Sequence, residues 1–358
     1  MRAPRTVFVA GLLAALAARL LLLRAFSGNY DVESFAGAVA ILRRGGALYL
    51  ETARYNYSPV WAHVLVALDA IARGIGCSLG AALGAFLLVV DALTAAVLYR
   101  LGGGGRRGSA AALLFFLNPV SVFVSSFHLQ FDNVAILLLL CALLWARRLP
   151  ATRAATVAWI SASLLVKHIT AFFPPLFLAS RRERGLRPLA AAVPYAVFAA
   201  SFLPYWRSWA GVRQNVLGYR SLSEDYGVAM LLALPGVPRW VPGVLFAAAV
   251  LTALVLLRAV PRERASLMLF LVMLLFAPGI CEYYFVWPIA LGALFGGAGF
   301  AVYTVVVAAF FLGSPDGLGL PLRHLPGWHG VWWSLLLWLA WEARRLSARP
   351  DAETGPPA

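Results

Sequence analysis

The sequence predicts an all-α, polytopic integral membrane protein with about 11–13 transmembrane or re-entrant helices. The chain of 358 residues is 62% hydrophobic and only 13% charged, whereas soluble domains carry about 25% charged residues. Apolar segments recur along its whole length, and short blocks of arginine separate them. Such blocks mark the cytoplasmic flanks of membrane helices. The net charge of +15 therefore indicates membrane contacts and no nucleic-acid partner.

Six arginine blocks predict the topology of the chain. If all six are cytoplasmic, an even number of spans separates each block from the next. In chain order the blocks are Arg2 and Arg5; Arg100, Arg106 and Arg107; Arg147, Arg148 and Arg153; Arg181, Arg182, Arg184 and Arg187; Arg258, Arg262 and Arg264; and Arg344 and Arg345.

The N-terminal apolar run predicts a first helix at residues 6–26 that is not a cleaved signal peptide. The run has a basic start, but it lacks a clear small-residue cleavage site. Arg19 and Arg24 stand where cleavage would be expected. We therefore expect this segment to remain as an uncleaved membrane helix.

Residues 27–58 are predicted to form an outer loop after the first helix. The segment 61–76 follows, and we interpret it as a re-entrant or interfacial helix because it carries His63 and Asp69. A span near residues 82–101 then returns the chain to the next arginine block. This path satisfies the parity of the arginine blocks.

The stretch LLFFLNPVSVFVSSFHLQFDN predicts two helices with an outer turn near FHLQFDN, and a kink or helix start at Asn118–Pro119. The next apolar stretch, ATVAWISASLLVKHITAFFPPLFLAS, is too short for two full spans of about 20 residues. Two short, broken helices that meet at Lys167–His168 would satisfy the parity. The lysine and the histidine would then point outward from within the membrane.

Three further helices are predicted near residues 189–206, 241–259 and 265–281, with outer segments after the first and the last. We expect a single transmembrane domain over residues 1–346. Its core would be residues 1–206, and its more variable C-terminal helices residues 207–346. A disordered tail would follow at residues 347–358. The cysteines show no metal spacing and are interpreted as small apolar packing residues: Cys77, Cys141 and Cys281.

Polar residues collect on the predicted outer side of the membrane, although the chain has only 15 acidic residues. Lys167 is the only lysine in the sequence, and a charge at membrane depth is costly and usually functional. The collected residues are Asp31, Glu33, Tyr57, Ser58, His128, Gln130, Asp132, Asn133, Lys167, His168, Glu224, Asp225, Glu282, Tyr283 and Tyr284.

Each of these residues also has a structural explanation. Asp31, Glu33 and Asp132 could cap the helices that follow them. Lys167 could extend to the interface or pair with a structural carboxylate. His128 and His168 could be packing residues whose polar atoms are hydrogen-bonded. Glu224 and Asp225, the acids of the segment SEDYG, could be ordinary loop charges.

Four motifs follow one another in the first half of the chain: NYDVESFAGAVAILRRGGALYLETARYNYSPVW, DALTAAVLYRL, LLFFLNPVSVFVSSFHLQFDN and SLLVKHITAFFPPLFL. Their order resembles that of the C-type (GT-C) membrane glycosyltransferases that use polyprenyl-phosphate sugars. Within that class the chain is most similar to GPI mannosyltransferase I and the bacterial polyprenol-phosphate-mannose-dependent mannosyltransferases. The resemblance covers residues 29–178, and CEYYFVWP is similar to a later outer turn of the family.

The resemblance implies roles for the matching positions. Asp31 falls where the family has a catalytic aspartate, and Glu33 completes an Asp-x-Glu pair where relatives often have Asp-x-Asp. Residues 128–133 match a segment in which relatives have Gly-Gln-Phe-Asp or His-Phe-Gln-Tyr-Asn. Lys167 matches a basic position before the aromatic-proline segment of the family. The predicted substrate-binding residues are Tyr57, His128, Gln130, Asp132, Lys167, His168, Arg213, Arg220, Glu282 and Tyr283.

The chemistry of glycosyl transfer agrees with these assignments. A carboxylate must take the proton of the acceptor hydroxyl, which suits Asp31. A cation must meet the charge that grows on the departing phosphate, which suits Lys167 with His168, Arg213 or Arg220 as helpers. No cofactor is implied with certainty. A divalent cation on the Asp-x-Glu pair stays open, because acids spaced i, i+2 do not face one way on a helix.

The sequence therefore predicts an inverting mannosyltransferase-like enzyme of the plasma (inner) membrane. It would move a sugar from a polyprenyl-phosphate carrier to a glycolipid or glycan acceptor on the outer face, with membrane lipids around it. The alternative is a transporter or lipid flippase, since broken helices with midplane polar residues also mark transporters. A structural assembly partner is a third interpretation.

Overall fold

The computed structural model describes residues 3–25, 28–180, 187–219, 226–314, 320 and 326–348. The protein is 80% helical, and the described residues contain no β-strand. The predicted all-α, polytopic membrane fold is therefore confirmed. The predicted division into core and C-terminal helices stays a prediction, and the tail from residue 349 onward lies outside the described residues.

Seventeen α-helices make up most of the described chain. In order they are α1 (Ala3–Ala25), α2 (Tyr30–Arg43), α3 (Leu48–Glu51), α4 (Pro59–Ile75), α5 (Leu79–Leu101), α6 (Gly105–Phe116), α7 (Pro119–Val122), α8 (Asp132–Ala146), α9 (Arg153–Val166), α10 (Phe173–Ala179), α11 (Pro188–Ser201), α12 (Trp209–Val212), α13 (Val241–Leu256), α14 (Arg262–Phe276), α15 (Ile289–Phe295), α16 (Ala298–Gly313) and α17 (Trp328–Ser347). Short 3₁₀ turns lie at His168–Thr170, Leu203–Ser208, Gly227–Ala233, Leu257–Ala259 and Glu282–Val286, and π-turns at Phe123–Phe127 and Arg213–Leu217.

Two described helices are long and apolar enough to cross a membrane alone, Leu79–Leu101 and Val241–Ala259. Both were predicted as spans. Helix pairs bent at a short break raise the number to 5 by length and composition, and four shorter apolar helices accompany them. The total of 11–13 crossing or re-entrant segments stays a prediction.

The predicted break at Lys167 is confirmed. Helix α9 ends at Val166, and Lys167 is extended, with φ −150° and ψ 129°. Helix α10 then begins with prolines in its first turn, which lack the amide hydrogen that a continuous helix would need. Ser58 donates to the carbonyl of Leu165, one of the acceptors that a helix C-terminus leaves unpaired.

The predicted kink at Asn118–Pro119 is also confirmed. Asn118 Oδ1 accepts a hydrogen bond from the Val120 amide at 3.0 Å, so Asn118 caps α7 while Pro119 takes its first position. The helices on either side meet at 48°. The chain then passes through a π-turn and through Leu129, whose φ is +54°, before α8 begins.

The loop after α1 is folded and packed rather than extended. Helix α2 packs on α4, and α3 packs on α12. At the second contact Gly211 lies so close to the backbone that an added Cβ would stand 1.9 Å from the Tyr49 carbonyl oxygen. Asn215 Nδ2 donates to the Tyr49 and Thr52 carbonyls, each at 3.0 Å. These contacts fix the loop that carries the predicted catalytic carboxylates.

Candidate active site

Asp31 lies in the first turn of α2 and is bound by a distant glutamine. The helix cap is Asn29, whose Oδ1 accepts from the Val32 amide at 2.9 Å and whose Nδ2 donates to the His128 carbonyl at 2.8 Å. The capping explanation of Asp31 is therefore wrong. Asp31 Oδ2 instead accepts a hydrogen bond of 2.5 Å from Gln130 Nε2, which orients the carboxylate.

Glu33 lies on the same turn but has a different partner. Its carboxylate is 3.5 Å from Arg54, and its side chain is 72% exposed. Arg54 in turn stacks on the Tyr30 ring, 3.7 Å from the ring centroid. The two acids of Asp-x-Glu thus point to separate partners. Among the described residues no group of three or more His, Cys, Asp or Glu side chains could hold a metal ion.

Asp132 and Lys167 form a buried ion pair. Lys167 Nζ lies 2.6 Å from Asp132 Oδ2, and the side chains are 2% and 0% exposed. Trp287 Nε1 donates to the other carboxylate oxygen at 2.6 Å. Capping is therefore the wrong explanation for Asp132, because its carboxylate faces Lys167 and Trp287 and Phe131 occupies the cap position without a side-chain bond. The explanation that Lys167 extends to the membrane interface is wrong as well, because its side chain is buried.

Four aromatic rings surround the Lys167 ammonium. The ring centroids of Phe131 and Tyr283 are each 4.9 Å away, those of Tyr284 and Tyr57 5.3 and 5.4 Å. Aromatic faces attract cations when desolvated, so the rings and the carboxylate together replace the water that the ammonium loses. The ring centroids of Phe131 and Tyr57 are 4.7 Å apart. The four rings together are called the aromatic wall.

The Asp31 and Lys167 groups belong to one site. Gln130, which binds Asp31, and Asp132, which binds Lys167, are two residues apart, so their Cα atoms are within about 7 Å. Burial raises the pKa of the Tyr57 phenol, and the charges of Asp31 and Asp132 raise it further. The phenol therefore keeps its proton between the two carboxylates.

Two more predicted residues lie at the edge of this site. The buried ring of His128 packs 6.3 Å from that of Tyr283. Glu282 precedes Tyr283 in the same 3₁₀ turn and is also buried, and Ser314 donates a hydrogen bond to its carboxylate. The turn therefore brings Tyr283 to the ammonium, whereas Glu282 reaches the end of α16.

The predicted helper cations are not part of the aromatic wall. His168 is half-buried and begins the 3₁₀ turn after Lys167. Arg213 is exposed on the π-turn that follows α12. Tyr219, six residues further, lies close enough to raise the pKa of Tyr57, so this turn runs toward the site. Arg220, together with the SEDYG acids, lies outside the described residues.

Sequence reasoning missed a second buried network beside the site. Arg19 of α1 pairs with Asp91 of α5, and both side chains are fully buried. Ser125 binds both groups, at 2.7 Å from Arg19 and 2.5 Å from Asp91. Asn133 Nδ2 donates to Asp91 at 2.7 Å. Adjacent residues at the start of α8, Asp132 and Asn133, thus connect to different charge networks.

Residues 55–278 match the profile of Glycosyltransferase family 87. The match covers more than half of the chain. The chain belongs to glycosyltransferase family 87. As a family 87 glycosyltransferase it has sugar donor and acceptor substrates, and the predicted enzyme class is confirmed at that level. Comparison with curated proteins and with solved structures found no significant match.

The family 87 match and the site overlap in part. The matched region contains Tyr57, the segment 128–133 and Lys167, but it begins after Asp31 and ends before Tyr283. It starts later than the resemblance seen in the sequence and reaches about 100 residues further. The match therefore assigns no role to an individual residue and identifies neither the donor nor the sugar.

Proposed function

We propose that this family 87 glycosyltransferase is a GT-C-type enzyme of the inner membrane that uses a polyprenyl-phosphate sugar, with mannose as the proposed sugar. Its acceptor would be a glycolipid or glycan on the outer face. The observation that carries the proposal is the position of Asp31 and Lys167 at the two ends of Gln130–Phe131–Asp132. A carboxylate and an ammonium meet the two requirements of transfer from a phosphate.

Asp31 is the proposed general base. The acceptor hydroxyl oxygen attacks the anomeric carbon while the bond from that carbon to the phosphate oxygen breaks, with inversion at the carbon. The proton of the hydroxyl passes to the Asp31 carboxylate, and the electron pair of the broken bond leaves on the phosphate. The hydrogen bond from Gln130 supports this role because it fixes one carboxylate oxygen.

Lys167 is the proposed partner of the donor phosphate. An ammonium has three N–H donors, and Asp132 accepts one of them at 2.6 Å. The ion pair and the four rings hold the cation in place before a donor arrives, and such preorganised charge is the largest contribution to many enzymatic rates. Trp287 supports Asp132 from its other side. His168, Arg213 and Arg220 remain proposed helpers.

The remaining predicted residues form the proposed walls of the substrate site. Tyr57 and Tyr283 flank the ammonium, and His128 packs behind Tyr283. Glu282 anchors the turn that carries Tyr283, and it would contact the substrate only at the edge of the site. Glu33, which is exposed, would position or steer the acceptor rather than take its proton.

A transporter or lipid flippase is the second candidate. The broken helices α9 and α10, with a buried charge at the break, favour it because transporters bind substrates at such breaks. Membership in a glycosyltransferase family weighs against it. Both candidates would bind a lipid phosphate, so binding alone does not distinguish them.

The donor test uses purified protein, membrane lipid acceptors and three labelled donors. These are polyprenyl-phosphate mannose, polyprenyl-phosphate glucose and a nucleotide-linked mannose. We expect a glycolipid product from polyprenyl-phosphate mannose. A product only from the nucleotide sugar would contradict the proposed donor. Movement of the labelled lipid across proteoliposomes without any product would favour the transporter.

A further inference from the structure

An apolar groove is lined by three of the first helices. It has a volume of about 800 Å³ and is lined by α1, α5 and α6. Leu13, Val89, Ala96 and Phe116 are typical of its walls, and the polar lining residues are Tyr99, Arg100 and Ser109. The groove is therefore apolar along its length and polar at one end.

A basic pocket adjoins the polar end of the groove. Its volume is about 910 Å³, and it shares Tyr99 and Arg100 with the groove. Arg147, Arg148 and Trp145 line the pocket with the glycine turn that follows α5. The two cavities thus meet at the last turn of α5.

The charge of this pocket is only partly neutralised. Arg147 pairs with Glu263 at 2.8 Å, whereas no ion pair within the described ranges involves Arg100 or Arg148. Both of these side chains are exposed, and Tyr99 and Trp145 are exposed beside them. Tyrosine and tryptophan are enriched at the depth of lipid headgroups, so these arginines stand where a headgroup would lie.

We propose that the groove and the pocket together bind one anionic phospholipid of the cytoplasmic leaflet. An acyl chain fills the groove, and the phosphate lies between Arg100 and Arg148. The apolar walls select a lipid over a soluble phosphate, and the excess positive charge selects an anionic headgroup over a zwitterionic one. The arginine block predicts that this end of α5 faces the cytoplasm, opposite the proposed transfer site. The inference does not depend on the proposed donor.

The test measures lipid binding to the purified full-length protein in a zwitterionic detergent-lipid micelle. Phosphatidylglycerol, phosphatidylcholine and glycerol phosphate are titrated, and the thermal midpoint and bound lipid are recorded, because a ligand of the folded state raises that midpoint. We expect saturable binding of phosphatidylglycerol alone. Equal binding of glycerol phosphate would show an anion site and would overturn the proposal.

Three variants locate the binding. Arg100→Gln/Arg148→Gln should weaken phosphatidylglycerol binding roughly 30-fold, as expected for two arginines at an anionic headgroup. Ala96→Trp, which fills the groove without changing charge, should also abolish saturable binding. Arg344→Gln removes an exposed arginine of α17 outside both cavities and should bind as the unaltered protein does.

The outcomes decide between a site and a general surface charge. If the control loses affinity as the double variant does, the binding is non-specific and the proposal fails. If Ala96→Trp binds normally while the double variant does not, the groove has no part and the proposal also fails. Ala92→Phe, which lines the same groove, replaces Ala96→Trp should that variant not fold.

Discussion

The Lys167 ammonium lies 2.6 Å from the Asp132 carboxylate, with both side chains buried. Neither group can therefore be changed alone without leaving the other charge in a dry environment. Loss of one partner of such a pair typically costs about 3–5 kcal/mol, whereas replacement of both can be nearly neutral. This asymmetry gives a way to separate the structural role of the pair from a role in chemistry.

Lys167→Met should lower the free energy of unfolding by about 3–5 kcal/mol because the Asp132 charge remains. Asp132→Asn should lower the free energy of unfolding by a similar amount, because the buried Lys167 ammonium would lose its counter-charge. Lys167→Met/Asp132→Asn should recover much of the loss, since Asn keeps an acceptor for Trp287. Thermal and denaturant unfolding in detergent measure these values. A double variant that is as unstable as the sum of the singles would contradict the pairing.

The same double variant tests the proposed phosphate role. If it folds but has lost donor affinity and turnover, the Lys167–Asp132 pair acts on the donor. Full turnover in a folded double variant would make the lysine structural. In that case the phosphate partner would have to be Arg213, Arg220 or His168.

Asp91→Asn should destabilise the protein but leave the chemistry intact. The change leaves the buried Arg19 guanidinium with neutral partners only, which should cost about 3–5 kcal/mol. Turnover per folded molecule should change by less than about tenfold, because a removed general base or acid typically costs at least about a hundredfold. Activity is normalised to the folded fraction from size-exclusion chromatography. A larger loss at normal stability would place Asp91 in the chemistry.

Gly211→Ala should separate α12 from α3. The new Cβ would stand 1.9 Å from the Tyr49 carbonyl oxygen, so the backbones must move apart. Gly37→Ala in α2 is the matched control, because nothing lies within 4 Å of its Cβ position. The control should be neutral or stabilising by about 0.5–1 kcal/mol. Equal thermal midpoints for the two variants would contradict the close packing.

Local signals in the sequence were sufficient for much of the fold. The break at Lys167 was predicted because the apolar stretch around it is too short for two full spans. The break at Asn118–Pro119 was predicted because proline interrupts its own helix turn. The span at α5 followed from an apolar stretch of sufficient length and from the parity of the arginine blocks, although Asp91 lies within the stretch. A helix after Asp31 was expected, since that residue could have been its cap, and α2 lies there. The i, i+2 spacing explains why Asp31 and Glu33 point to different partners.

Pairings between distant residues could not be predicted in the same way. Arg19 and Asp91 are 72 positions apart in the sequence. Each residue by itself is compatible with a position at the end of a membrane helix or in the segment that flanks it. The sequence placed Asp132 and Lys167 on one side of the membrane but did not show that they touch. Trp287 had no signal beyond its place in CEYYFVWP. Such contacts depend on how α1, α5, α8 and α9 pack.

The predicted sidedness can be tested with single cysteines. Cys77, Cys141 and Cys281 are replaced by alanine, and Ala53→Cys or Arg107→Cys is added, since both positions are exposed. An impermeant thiol reagent should label position 53 in intact cells and position 107 only after lysis. Permeabilised cells provide the control for reactivity. Equal labelling of both positions in intact cells would contradict the common outer face.

The proposed role of Asp31 as the acceptor of the proton is tested most directly by single-turnover transfer from the proposed donor, polyprenyl-phosphate mannose. Asp31→Asn keeps the size of the side chain and can keep a hydrogen bond to Gln130, but it removes the proton acceptor. Glu33→Gln is the matched control, because this neighbouring exposed acid pairs only with Arg54 at 3.5 Å among the described residues.

We expect Asp31→Asn to slow transfer by about 10²–10⁴-fold with nearly unchanged donor affinity and stability. Glu33→Gln should slow transfer by no more than about threefold, since a role in positioning the acceptor would depend on an exposed ion pair, and such pairs contribute little. A folded Asp31→Asn protein that transfers sugar at the normal rate would contradict the account.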